Sequence, residues 1–356
     1  MDSKERIAKA LTVATDTKVF EMGCGVSSQA PEEFKKWFPE SKAAVVVADL
    51  NTWKVLGQKV YEMFVTAGVH TEKYVIERKE FHADWRYVDM VDHIIAGDFS
   101  AAKAIENDPE YVEPDAEKAF RPSSEAEYVT ISVGSGVIND LCKLASHHYG
   151  QSYLTLPTAA SVDGFSSFGA SISYHNSKQT FSCPAPKVII ADVDVIASAP
   201  KAMTAAGYAD LAAKVPAGAE WMIADLMGTE PIKPDAWHVL QDCLDDLLAD
   251  PDGVARGDKK AVADLFEGLT LSGIAMQAST ILGVSMQAAQ SSRPASCCDH
   301  LFSHILDMTH HRFNGRLQSH GAQVAIGTLT MCAVFDELFK MDLTKIDVDA
   351  CVKAWP

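Results

Sequence analysis

Two hydrophobic patterns divide the chain near residue 197. Ala43 to Ala48 reads AAVVVA, a continuous apolar run of the kind found in a parallel strand covered on both faces. Shorter runs at Lys18 to Met22, Tyr128 to Val133, Tyr153 to Leu156 and Lys187 to Ala191 predict further strands. Between them, Thr52 to Ala67 sets Trp53, Leu56, Val60, Met63 and Phe64 at helical spacing, and Val137 to His147 does the same with Ile138, Leu141 and Leu144. Strands separated by helices predict a parallel sheet of Rossmann type. Ser171 to Phe181 alternates polar and apolar residues about Asn176-Ser177, which predicts a hairpin. After Ala199-Pro200 the period changes. Met203 to Asp225, Trp237 to Leu248, Ala261 to Leu282, His300 to Thr309 and Ala322 to Leu338 carry helical periodicity without a strand. The expected organisation is an α/β Rossmann-like domain over residues 1–197 followed by an all-α domain over 198–356, with a ligand cleft between them.

Composition narrows the partners. The 356 residues are 47% hydrophobic, enough for a substantial core, and 48 acidic against 31 basic residues give a net charge of −17. That balance excludes a nucleic-acid binder, which needs clustered Lys and Arg. It leaves open a small anionic substrate held by a local cation. Asn107 to Glu127, with seven acids and two bases, reads as a solvated surface excursion. Met1 to Phe20 is neither a secretory signal nor an anchor, and no run reaches the ~18 uninterrupted apolar residues of a spanning helix. Eight scattered cysteines without a CxxC pair fit a reducing compartment and offer no thiolate metal site, so a cytoplasmic protein is expected.

Four segments carry candidate chemistry. Val133 to Asp140 runs from a strand through Gly134-Ser135-Gly136 into a helix, where glycines admit a phosphate and the helix N-terminus supplies N–H groups. Gly23-Cys24-Gly25 is followed by Asp49 at the end of the next strand, the spacing at which an acid bonds an adenosine ribose. Thr158 to Gly164 (TAASVDG) is a small, hydroxylated loop able to approach a ligand. His300 and His304 lie four apart on one helical face, and His320 precedes another helix. Two imidazoles and a carboxylate bind a divalent ion with positions open for substrate. By spacing, Asp210, Asp299 and Asp307 all qualify as that carboxylate. His310 and His311 read as exposed loop residues, and Ile274 to Ala289 as core packing.

In this order VGSGVIND (133–140), PTAASVDGFSS (157–167), GYADLAAK (207–214), SRPAS (292–296), HLFSH (300–304) and HGAQVAIGTL (320–329) resemble the glycerol-1-phosphate dehydrogenase family. That family lies within the dehydroquinate synthase-like, iron-containing alcohol dehydrogenase-like superfamily. The resemblance implies the dehydroquinate synthase-like fold and reduction of dihydroxyacetone phosphate to sn-glycerol 1-phosphate. It implies NAD(H) or NADP(H) and one divalent ion, zinc, with nickel or iron as alternatives. Matched residue by residue, it implies Asp210, His300 and His320 as metal ligands, and His304, Asp163 and Asp210 at the substrate. Asp49, Gly134, Ser135, Gly136, Val137, Ile138, Asn139, Asp140, Thr158, Ala159, Ala160, Ser161 and Ser167 match cofactor positions. Arg293 is a candidate phosphate contact. A homo-oligomer of two or more copies is expected. The alternatives are a polyol dehydrogenase of glycerol type and a cyclase or lyase of dehydroquinate synthase type that uses NAD transiently.

Three departures stand out. Cys297-Cys298-Asp299 precedes the HxxxH pair where small residues are usual. Ala322 replaces the glutamate of the common His-Gly-Glu, removing a carboxylate expected behind a metal ligand. Relatives continue with more helix past Trp355-Pro356, so an incomplete C-terminus is expected.

Overall fold

A computed structural model of the chain describes residues 1–41, 43–115, 125–279 and 292–355. Its strands are β1 (Val19–Gly23), β2 (Ala44–Asp49), β3 (Thr71–Ile76), β4 (Val129–Gly134), β5 (Leu154–Pro157), β6 (Ala170–Tyr174), β7 (Ser177–Phe181) and β8 (Val188–Asp192). Six of them form one parallel sheet in the order β1-β8-β5-β4-β2-β3. The expected strands of this sheet are all present, each beginning one residue later than the apolar runs suggested. Strand β3 was not legible, because TEKYVI puts charges on an edge strand exposed on one side.

The AAVVVA run is buried on both faces, as its pattern requires. Val45 and Val47 join one cluster with Trp85, Val88, Ile94 and Ile138, while Ala44, Val46 and Ala48 join a second with Phe34, Val60 and Phe64. Each fully buried valine contributes about 1.5–3 kcal/mol relative to exposure.

Two local expectations need correction. The helix expected over Thr52 to Ala67 starts at Leu50 and passes through a π turn at Trp53–Gly57 before resuming at Gln58–Thr66, so no single 3.6-residue period runs through it. The β6–β7 hairpin turns at His175-Asn176, not Asn176-Ser177. Tyr174 pairs with Ser177, and both turn residues have positive φ (49° and 60°), matching the twist of a tight hairpin.

Six helices place the site: α1 (Gly136–His148), α2 (Lys201–Ala212), α3 (Lys214–Leu226), α4 (Lys259–Ala278), α5 (Cys298–Met308) and α6 (His320–Lys340). The single helix expected over Met203 to Asp225 is α2 and α3, parted at Ala213, and Trp237 to Leu248 is covered by two short helices, Pro234–Leu240 and Leu244–Leu247. The helical half is not wholly free of strand: Arg312–Phe313 and Arg316–Leu317 pair around Asn314-Gly315, both at positive φ. Much of Ile274 to Ala289, the end of Ala261 to Leu282 and the middle of the acidic excursion lie outside the described residues.

The halves share a core in which Ala160, Phe165, Ile189 and Ala191 pack with Leu211, Leu265, Phe266 and Leu269. The first helix, Ser3–Val13, also joins the helical half, with Arg6 Nε 2.6 Å from the buried Glu267 carboxylate on α4. Among the described residues one helix, α6, is long and apolar enough to cross a membrane by length and composition alone.

Candidate functional site

The strand order reverses between β2 and β4: the chain moves outward from β2 to β3, then returns across β2 to β4, β5 and β8. Ligands of open α/β sheets bind outside the carboxyl ends of the strands at such a point. Asp49 closes β2, Gly134 closes β4, and Thr158 follows β5, donating its N–H to the Gly134 carbonyl at 3.0 Å. Helix α1 begins at Gly136, and Ser135 makes no capping hydrogen bond with its side chain. Its first N–H groups therefore face outward at a strand end, the arrangement that takes a phosphate.

The thirteen expected cofactor positions divide by what they expose. Ser135, Gly136 and Val137 are half-buried at the turn, whereas Ile138, Ala159 and Ala160 are core residues. Asn139 is buried and accepts from Tyr153 Oη at 3.0 Å. Asp140 accepts from the Ser171 N–H at 3.2 Å, and burial pushes its carboxyl up. Ser167 donates to the Gly164 carbonyl at 3.2 Å. Asp49 caps its own helix, with one carboxylate oxygen accepting from Asn51 and Thr52 N–H. Side chains at 139, 140 and 167 thus shape the loop from within, leaving the backbone of 135–137 as the exposed part.

Beyond this loop the chain builds a second cluster at a helix crossing. Asp210 on α2, His300 on α5 and His320 at the start of α6 bring one ligand atom each to within 4.8 Å of one another. Their convergence depends on backbone contact. A Cβ on Gly321 would lie 2.0 Å from the Ala206 carbonyl of α2, and one on Gly327 would lie 2.2 Å from the Asp299 carbonyl of α5. Only glycine lets α6 press against both helices, and that fixes the His320 ring 5.2 Å from His300.

The three carboxylates left open by spacing occupy different ranks. Asp210 is in the cluster. Asp299 lies behind His300, its carboxylate bonded to Nδ1, so that Nε2 turns towards Asp210 at 3.5 Å. Asp307 lies further out, bonded to Gln323 and Lys178.

A fully buried lysine, Lys214, completes the cluster. Its Nζ is 2.8 Å from Asp210 Oδ1 and 2.9 Å from Asp163 Oδ2. The other Asp210 oxygen accepts the Asp163 N–H at 2.9 Å, and Ser272 donates to Asp163 at 2.9 Å. Burial alone would raise the Asp210 carboxyl, but the Lys214 charge and the His300 hydrogen bond hold it far below the usual carboxylate range. Burial likewise opposes the charge on Lys214, and the two aspartates overcome it and raise its pKa. Burial pushes His320 down to about 3, so its imidazole is neutral and keeps a lone pair for a ligand. His300 is raised despite burial, because carboxylates stand at both of its nitrogens.

Two imidazoles and a carboxylate suit zinc, iron or nickel. Donors about 2.1 Å from a tetrahedral ion stand about 3.4 Å apart, so rotamer changes at the three residues close the observed spacing. The residues present fit a divalent ion.

Residues 21–200 match the sequence model of the family described as iron-containing alcohol dehydrogenase. The chain belongs to this family. Among family relatives, the glycerol-1-phosphate dehydrogenase [NAD(P)+] of Halalkalibacterium halodurans is 30% identical over 290 residues, 82% of this chain and 64% of that protein. The enzyme of the same name from Bacillus licheniformis is 34% identical over 215 residues, 60% of this chain and 51% of that protein. The chain therefore spans between half and two thirds of the length of these relatives. The glycerol dehydrogenase structure from Schizosaccharomyces pombe shares the fold, with a TM-score of 0.65 and 21% identity over 91% of this chain and 72% of that one.

Against this family background, several expected residues sit apart from the cluster. His304 is solvent-facing one turn beyond His300, and partial desolvation lowers its pKa. Arg293 donates to Glu230 at 2.8 Å and to Cys297 at 3.3 Å. Cys297 is a buried thiol raised to about 11 by burial, and Cys298 is raised to about 11 by its bond to Glu220. His310 and His311 are exposed. Two buried lysines escaped sequence reasoning. Lys214 stands four residues after Asp210, a helical neighbour visible in GYADLAAK. Lys143 donates to the carbonyls of Gly164, Ser167 and Gly169 at 2.8–3.0 Å and closes the loop that carries Asp163; within Cys142-Lys143-Leu144 it carries no comparable signal.

Proposed function

We propose that the chain is an NAD(P)-dependent, metal-dependent dehydrogenase that reduces dihydroxyacetone phosphate to sn-glycerol 1-phosphate. The observation that carries the reading is the Asp210–His300–His320 cluster, joined through Asp163 to a loop that begins at the β5 end of the sheet. The curated relatives, at about 30% identity, support the reaction.

In this reading Gly134 to Gly136 and the α1 N-terminus bind a dinucleotide phosphate, with Thr158 to Ser161 beside it and Asp49 at the ribose. Asp210, His300 and His320 hold the dication. When bound, the dication supplies Lewis acidity at the substrate carbonyl and the reduced nicotinamide supplies hydride. Lys214 fixes both Asp163 and Asp210, so neither carboxylate swings into the substrate space. His304, open to solvent, or a water it holds, passes a proton taken from solvent to the oxygen of the reduced carbon. The site also answers the overall charge of −17: the positive potential a phosphate ester needs is local, from the ion and the helix N-terminus.

The test is a panel of ketones on metal-reconstituted protein. Steady NADH or NADPH oxidation with dihydroxyacetone phosphate and not with dihydroxyacetone is expected. Turnover of the unphosphorylated ketone alone would favour the polyol dehydrogenase, and phosphate release without net NADH change would favour the cyclase.

A further inference from the structure

Behind His320 runs a chain of hydrogen bonds that has only one consistent set of donors. Lys178 Nζ on β7 lies 3.1 Å from Asp307 Oδ2 on α5. The other Asp307 oxygen is 2.8 Å from the side-chain amide of Gln323 on α6. A carboxylate paired with an ammonium only accepts, so Gln323 must present Nε2 to it, and this turns Oε1 towards Ser303. Ser303 Oγ is 2.8 Å from that Oε1 and 2.9 Å from His320 Nδ1. A carbonyl oxygen only accepts, so the single hydroxyl hydrogen of Ser303 goes to Gln323. Ser303 can then meet His320 only by accepting, which requires hydrogen on Nδ1 and leaves the Nε2 lone pair bare.

We infer that Asp307, Gln323 and Ser303 are positioning residues that set the tautomer of His320, orienting its Nε2 lone pair for the dication, with Lys178 anchoring the relay to the β6–β7 hairpin. The inference rests on the proposed metal site. Ser303 and Gln323 are nearly wholly buried, so water does not substitute for either partner. The relay also accounts for Ala322. The carboxylate that a glutamate would bring next to His320 is replaced by one delivered across the helix pair, at Asp307. His300 is served differently, by direct contact with Asp299, so each imidazole has its own carboxylate at a different remove. Groups behind metal-bound histidines fix ring orientation and basicity, and their loss typically weakens binding about 10–100-fold.

The experiment uses the full chain, stripped with chelator, and compares the parent with Gln323→Leu, Ser303→Ala and Ser303→Thr. Long-range proton–nitrogen correlation spectra of the histidine rings, with His320 assigned by its loss in His320→Ala, read the tautomer without metal. Competition with a chromophoric chelator reads Zn2+ affinity. The parent is expected to show His320 hydrogen on Nδ1. Gln323→Leu frees the Ser303 hydroxyl to donate to Nδ1, so hydrogen on Nε2 is expected to appear and Zn2+ affinity to fall at least 10-fold. Ser303→Ala is expected to behave likewise, and Ser303→Thr, which keeps the hydroxyl, to retain affinity within about threefold. Unchanged thermal midpoints in these variants separate positioning from collapse. If Ser303→Thr fails to fold, Gln323→Leu alone decides. Parent-like affinity and an undisturbed Nδ1 hydrogen in Gln323→Leu would overturn the relay. A parent that binds no Zn2+ would overturn the metal site itself, which is a different outcome.

Discussion

The parallel sheet and the helix crossing bury opposite kinds of side chain. Along β2 every residue from Ala44 to Ala48 is inaccessible and apolar, and its partners on both faces are aliphatic or aromatic. At the crossing of α2, α5 and α6 the inaccessible residues include, beside the apolar Leu211 and Val324, the polar Asp210, Asp299, Ser303 and Gln323, with Lys214 at the start of α3. The sheet is held by transfer of apolar surface and best tolerates apolar residues of similar volume. The crossing is held by ionic hydrogen bonds, each of which leaves a costly orphan when its partner is removed. The contrast teaches where chemistry resides in this chain: the apolar half supplies a rigid edge, and the charged half stores the desolvated groups that a dication would complete.

The largest effect is expected at Lys214. Lys214→Met leaves Asp163 and Asp210 facing one another without a cation, a loss of about 3–5 kcal/mol in metal-free protein. Zn2+ should restore part of it, since the ion replaces the missing charge. Urea unfolding with chelator and with Zn2+ measures both, and an equal loss in the two conditions would break the contrast.

A comparable but metal-blind loss is expected in the sheet. Leu154→Ala on β5 opens a cavity in a fully buried cluster and should cost about 2–5 kcal/mol, the same with and without Zn2+. A metal-dependent loss there would show that the two regions are not energetically separate.

Gly321→Ala probes the join. The new Cβ meets the Ala206 carbonyl and pushes α6 from α2, at a cost of about 1–3 kcal/mol. Zn2+ affinity should fall more steeply than stability, because His320 is the neighbouring residue. Affinity equal to the parent's would show that the crossing is less tightly defined than its backbone contacts require.

A pH-dependent effect belongs to a largely buried pair in the sheet half. Burial raises Asp92 to about 6 from an ordinary 3.8, although its bond to His148 at 2.8 Å pulls the other way. A raised carboxyl pKa means that the folded state holds the proton more tightly. The associated stability is present below pH 3.8 and is lost as pH rises through about 6. The stability of the parent relative to Asp92→Asn should therefore fall between pH 4 and pH 7. A flat difference would contradict it.

The same contrast explains what was readable from the chain. Strand β2 was legible because burial on both faces writes a continuous apolar run, and β4, β5 and β8 because short β-branched and aliphatic runs keep that character even where Thr130, Ser132 and Thr155 interrupt it. Gly134-Ser135-Gly136 was legible because a turn demands those residues. The histidines at 300 and 320 stood out as residue types, but periodicity could not rank Asp210, Asp299 and Asp307, since all three sit at helical positions and differ only in which neighbour crosses them. Lys214 and Gln323 were hidden for a related reason. Buried polar residues on a helix look like exposed ones until the facing helix is known. Strand β3 was missed because an edge carries charge. The turn at His175-Asn176 was misplaced by one residue because both candidate pairs contain the asparagine that such turns favour.

The most direct measurement is metal binding to the full chain after stripping with chelator, followed by calorimetric titration with Zn2+ and Ni2+ for the parent, His300→Ala and His320→Ala. One ion per chain is expected for the parent, with at least 10-fold weaker binding in each variant. A parent that takes up no ion, or variants that bind as tightly as the parent, would contradict a metal centre at Asp210, His300 and His320.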